Sequence, residues 1–267
     1  MTTLDAPAAP AEDREPLRSF QRHSLLVRIC HWINAIAFFG LIYTGMQILL
    51  DYPELYWGKV GYMGHEPALH LRELGFDLTY TSYGQHIWHV FGIDFPGDRE
   101  WGRYNHFFFA WLFAINGLVY IICNLANGHV RRKMVPGAAE LRPRHLGREI
   151  WEHLRLRTPK GEAAREYNTL QKLIYLFVLL VLCPLVILSG LAQSPGFVAA
   201  HPWVLELFGG GRHTARSLHV LSMVLILLFV IIHVFEVFVA GFVNEIRSMI
   251  TGRFVLPRDA SPREKSR

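Results

Sequence analysis

Four stretches of this chain are long and apolar enough to cross a bilayer as helices, which fixes its architecture before any other feature is read. They run from about Ile29 to Leu50, Asn105 to Asn127, Leu173 to Ala192 and Leu218 to Val243. A hydrocarbon layer about 30 Å thick takes roughly 20 helical residues. Composition agrees: 51% of the 267 residues are hydrophobic and only 18% are charged, a membrane profile. The expected fold class is all-α, an integral membrane four-helix bundle with a long periplasmic loop between helices 1 and 2.

The formal charge of +5 would suggest nucleic acid in a soluble protein, but here its distribution matters more than its total, and no nucleic-acid partner is expected. Lys and Arg number four before the first span, four in the 51–104 loop, eleven in 128–172, two in 193–216 and six after the fourth span. With both termini inside, 21 basic residues are cytoplasmic and six lie outside, so the positive-inside rule places both termini and the 128–172 loop in the cytoplasm. The opening "MTTLDAPAAPAEDREPLRSFQR" has no basic stretch leading into an apolar core, unlike a cleavable signal peptide. It reads as a disordered tail over 1–22, followed by a four-span domain over 23–254 and a cytoplasmic tail over 255–267. Three cysteines, Cys30, Cys123 and Cys183, are too few for a disulfide framework.

The outer 51–104 loop is long, aromatic and carries eight Asp or Glu, which suits docking of a partner outside the membrane. Its segments "PALHLRELGF" and "SYGQHIWHVFG" suggest short helices at the membrane face. His86 and His89, three apart, could share a metal, although interfacial residues beside Trp88 are the simpler reading.

The fourth span holds a more telling pattern. "RSLHVLSMVLILLFVIIHVFEV" carries His219 and His233, two heptads apart, so both rings lie near one helix face with a rise of roughly 21 Å between them. Polar rings in hydrocarbon are costly and face a bundle interior. "VRICHWIN" places His31 near the cytoplasmic start of the first helix, and "GRYNHFFFAW" places His106 near the outer start of the second. By depth, His106 matches His219 and His31 matches His233. Two pairs at two depths are what two bis-imidazole haems stacked in a four-helix bundle require. Arg28 and Arg216 each precede a histidine by three residues, one turn nearer water, where propionates need cations. Gly40, Gly45, Gly117 and Gly190 would let a flat macrocycle approach the backbone. A lone intramembrane histidine is often only an interhelical hydrogen bond. A zinc site would want its ligands at one depth, and "HEPAL" at His65 lacks the second histidine of a zinc-protease motif. Glu236, one turn beyond His233, is the only carboxylate well inside a span, and suits either proton relay or local hydrogen bonding.

"RICHWINAIAFFGLIYTG", "GRYNHFFFAW", "REYNTLQKLIYLFVLLVLCPLVILSG" and the stretch from Arg216 to Phe254 resemble the di-haem cytochrome b subunits of bacterial respiratory oxidoreductases, which serve nickel–iron hydrogenases, formate dehydrogenases and thiosulfate reductases. "DYPELYWG" after the first span places the resemblance nearest the thiosulfate-reductase type. It implies two haem b groups, the outer on His106 and His219 and the inner on His31 and His233. It also implies a bacterial inner-membrane location, a periplasmic redox partner of molybdopterin-oxidoreductase or hydrogenase type, and quinone near the inner haem. By the resemblance quinone would contact Asn168, His233 and Glu236, although Leu170 stands where related chains have a glycine. Such a chain is an electron-transfer and quinone-reactive subunit rather than an enzyme alone. The competing readings are a proton-coupled membrane transporter that uses its histidines without haem, a plain membrane anchor, and a stand-alone cytochrome that oxidises quinol.

Overall fold

The computed structural model describes residues 19–59, 61, 64–80, 86–90, 92–128, 134–155 and 168–255. Four helices long and apolar enough to cross a membrane form its frame: α1 (Leu25–Leu49), α2 (Arg99–Ala126), α4 (Thr169–Leu191) and α7 (Arg212–Thr251). Between them lie α3 (Pro143–Leu154), α5 (Pro195–Ala200) and α6 (Trp203–Glu206). At 1.5 Å per residue, even α4 is about 35 Å long, enough for a hydrocarbon layer. Each span begins a few residues before the apolar run, because polar caps carry the helix past it. Ser24 caps α1, accepting from the Val27 amide, and Asp98 caps α2, accepting from the Trp101 amide.

The spans run up and down, so one pole of the bundle gathers both ends of the described chain and α3, and the other gathers 193–211 and the described residues of 51–98. At the first pole β1 (Ser19–Gln21) pairs antiparallel with β7 (Arg253–Val255). The last described residues of the polar N-terminal tail are therefore a strand. Arg22 stacks on Phe254 at 4.6 Å and bonds Glu245 at 2.9 Å. The rest of both expected tails, 1–18 and 256–267, lies outside the described residues.

The loop pole corrects one expectation. "SYGQHIWHVFG" forms no helix among its described residues: β4 (Phe76–Tyr80), β5 (His86–Val90) and β6 (Ile93–Gly97) make a three-stranded antiparallel ribbon. Alternating, branched and aromatic residues favour strand, and Gly92 at φ 79° turns Val90 into Ile93. "PALHLRELGF" supplies strand β3 (Leu69–His70), paired with β2 (Glu54–Leu55), and only one 3-10 turn, Leu71–Leu74. His86 and His89 both belong to strand β5 rather than to a helix. The His89 ring bonds Asp94 at 2.5 Å.

Packing is tight within two helix pairs, α1 with α2 and α4 with α7. In the first, the Asn116 amide donates to Cys30 O at 2.8 Å and to Asn34 Oδ1 at 2.7 Å, and a Cβ on Gly40 would lie 2.6 Å from the Phe109 ring. The three buried apolar clusters of the described residues all sit toward the loop pole, around Leu49, Leu50 and Val204. Two helices depart from regularity. Pro184 of α4 has no amide and crowds the preceding turn, and Val178–Leu182 relaxes into a π-helical turn. In α7, Gly241 takes φ 113°, open to glycine, and turns the last stretch over the start of α1. There Trp32 Nε1 donates to Met249 O at 3.2 Å, and Arg28 donates to Ile250 O.

Candidate functional site

His106 of α2 and His219 of α7 come from different helix pairs and meet with ring centres 6.2 Å apart, planes at 71°. Each ring is fixed through Nδ1. Thr44, fully buried on α1, donates its hydroxyl to Gly40 O at 2.6 Å and accepts His106 Nδ1–H at 3.0 Å. Ser189, fully buried on α4, donates to Leu185 O at 2.6 Å and stands 3.2 Å from His219 Nδ1, which also donates to Val186 O at 2.9 Å. Holding Nδ1 as the donor leaves Nε2 with its lone pair, the state a metal ligand needs.

The glycine after each hydroxyl residue gives the ring its room. A Cβ on Gly45 would lie 3.2 Å from His106 Cε1, and one on Gly190 would lie 3.1 Å from His219 Cε1. Gly40 serves helix packing instead. Gly117, eleven residues or about three turns along the His106 face, would meet nothing within 4 Å if it gained a Cβ. The repeated hydroxyl–glycine step, Thr44–Gly45 and Ser189–Gly190, was readable in the sequence.

Nearer the termini pole stand His31 of α1 and His233 of α7. His233 stacks on Phe229 at 6.0 Å, and His31 lies edge-on to Trp32 at 5.3 Å. His31 Nδ1 is buried with no hydrogen-bond partner, and so is Arg28 Nε. Orphaned buried polar atoms of this kind are rare, and a bound group or a water is what usually satisfies them.

These observations fit haem b. Two imidazoles on one metal, each at about 2 Å, hold their ring centres roughly 6 Å apart at any angle about the shared axis. The His106–His219 pair already has that spacing, and the orphaned Arg28 Nε sits one turn toward the pole from His31. Arg216 is placed otherwise. Its guanidinium donates to Glu54 O at 2.7 Å and to Tyr52 O, and stacks over the Tyr52 ring at 4.9 Å. Two of its five donors are thus committed to the loop.

Beside His233 a groove of about 180 Å³ opens between α4 and α7, lined by Leu170, Gln171, Tyr175, Phe229, His233 and Glu236 among others. Asn168 is not among the lining residues. It is the N-cap of α4, accepting from the Gln171 amide at 2.8 Å. Gln171 and Tyr175 were not expected from the sequence, because their facing depends on how α4 packs against α7.

Comparisons with known proteins place the chain in a family. The family model for prokaryotic cytochrome b561 matches residues 22–252. A protein of Azospira oryzae, named as the putative protein-methionine-sulfoxide reductase subunit YedZ1, is 32% identical over 214 residues, 79% of this chain and 87% of that one. The chain belongs to the prokaryotic cytochrome b561 family, and is a multi-pass membrane protein that carries electrons through haem b.

Proposed function

We propose that the chain binds two haem b groups and links a redox enzyme on the loop side to membrane quinone at the termini side. The observation that carries this reading is the His106–His219 pair, set at bis-imidazole spacing with both Nδ1 atoms tied. His31 and His233 form the second ligand pair. Arg28 neutralises propionate near the inner pair, and Arg216, with donors to spare, does so near the outer one. Bound between paired imidazoles, haem supplies reversible one-electron transfer.

The protein does the rest. The polar loop pole docks the partner from the periplasm of a bacterial inner membrane, with both termini in the cytoplasm, an orientation that the basic count of the connections supports. The partner is an oxidoreductase, of molybdopterin or hydrogenase type by the sequence resemblance; the Azospira relative is itself named as a subunit of a reductase. The groove beside His233 takes the quinone ring between Phe229, Tyr175 and Leu170. Reducing a quinone consumes two protons, and Glu236 lies in that groove to deliver them. Asn168 shapes the groove's end by capping α4. Membership of a haem-binding family favours this over a transporter that uses histidines alone.

The test follows haem reduction by a short-chain quinol in detergent-solubilised protein. Glu236→Gln is expected to slow it about 100-fold while the haem spectrum stays intact. An unchanged rate in Glu236→Gln would remove the proton role, and a wild-type protein inert to quinol would remove the quinone site.

A further inference from the structure

Helix α3 turns the wrong side to the protein. Its polar residues face α4: Glu149 accepts the Thr169 hydroxyl at 3.1 Å and the Leu170 amide at 3.0 Å, and the His145 ring lies 3.2 Å from Thr169 Oγ1. Just before α3, Glu140 bonds Lys172 of α4 at 3.0 Å. The apolar edge points away. Ile150 and Trp151 lie between about 100° and 160° round the helix from His145 and Glu149, and are 45% and 56% exposed. On the Trp151 side that edge is bordered by Arg144, Arg148 and Arg155, all exposed, with the Arg155 guanidinium 4.5 Å over the Trp151 ring. The exposed acid, Glu152, falls on the far side of these arginines.

A soluble helix packed on a protein has its apolar stripe inward. Here the contacts to the first turn of a membrane span fix α3 at the level where the span enters the bilayer. An apolar edge with tryptophan, bordered by arginines at that level, is the pattern of a helix lying in the headgroup layer.

We propose that α3 is a lipid-binding element: Ile150 and Trp151 enter the acyl boundary, and Arg144, Arg148 and Arg155 bind the phosphates of anionic phospholipid. Charge complementarity and the fixed depth favour lipid over a protein partner. Through Glu149 the same helix caps α4 at Leu170, so bound lipid also steadies the end of the groove.

Hydrogen exchange of 143–154 tests this in the full-length protein, reconstituted in nanodiscs of phosphatidylcholine alone or of phosphatidylcholine with phosphatidylglycerol. Exchange is expected to be roughly tenfold slower with the anionic lipid. The triple variant Arg144→Gln, Arg148→Gln, Arg155→Gln is expected to lose that difference while keeping its haem spectrum. Equal exchange of the wild type in both bilayers would overturn the proposal without reference to any variant. So would protection that arises only when a soluble protein partner is added.

Discussion

On the proposed reading each histidine ligand depends on what holds its other nitrogen, so Thr44 and Ser189 matter alongside the His106 and His219 rings they touch. Thr44→Val keeps the shape but removes the acceptor for His106 Nδ1, and is expected to weaken haem retention about 10- to 100-fold in a haem-loss assay. Unchanged retention would mean that packing alone orients the ring. Asn168 offers a sharper choice. As a cap its oxygen is what matters, so Asn168→Ser is expected to leave stability and quinol reactivity near wild type, and Asn168→Ala to cost about 1 kcal/mol of stability. A fall in quinol reactivity in Asn168→Ser at unchanged stability would instead make its amide a quinone contact. Tyr52, stacked with Tyr56 at 6.4 Å, has its phenol pushed up to about 12 by burial and by its bond with Tyr56, so it brings no charge near Arg216 at neutral pH.

At the scale of elements, the start of α7 grips the loop above it. The Gly58 amide donates to Thr214 Oγ1 at 2.7 Å, the Ser217 hydroxyl to Tyr56 O at 2.7 Å, and Arg216 to the carbonyls of Tyr52 and Glu54. These groups precede His219 by two to five residues, within about one and a half turns, so 52–58 is held near the His106–His219 pair. The double variant Thr214→Val, Ser217→Ala is expected to speed hydrogen exchange of 52–58 roughly 30-fold, in line with two hydrogen bonds worth about 1 kcal/mol each; unchanged exchange would mean that Arg216 suffices. None of this grip was legible in the sequence, where Arg216 reads only as a cation one turn from a histidine. It rests on carbonyls of a loop whose path the side-chain pattern does not reveal. The loop's strands were missed for a related reason: a mixed aromatic and polar segment matches a helical period about as well as an alternating one. The spans were legible because hydropathy over some 20 residues leaves little choice. The histidine pairing was legible because fourteen-residue spacing and chain direction together set depth.

Over the whole molecule, two tight helix pairs meet across a seam, and the histidines reach into it from both sides. Its glycines therefore do different work. Gly40→Leu pushes into Phe109 between α1 and α2 and is expected to cost about 1–3 kcal/mol in thermal unfolding. A Cβ at Gly117 meets nothing within 4 Å, and Gly117→Leu is expected to lower haem content instead. Full haem content in Gly117→Leu would show that nothing binds against that face. The termini pole is also tied by charge. Lys172 and the Gly137 amide, both bonded to Glu140, hold its carboxyl below the usual glutamate range. That tie is fully present above the ordinary glutamate pKa and is lost as pH falls through the lowered one. The difference in thermal midpoint between wild type and Lys172→Met is therefore expected at neutral pH and absent in strong acid; a difference that persists there would assign it to packing.

The central claim, two haems held by two histidine pairs, is tested most directly by counting. A dithionite-reduced minus oxidised spectrum with a pyridine haemochrome titration of the purified protein is expected to give two haem b per chain, and one in His106→Ala. One haem in the wild type, or complete loss in His106→Ala with the fold intact, would contradict two independent sites.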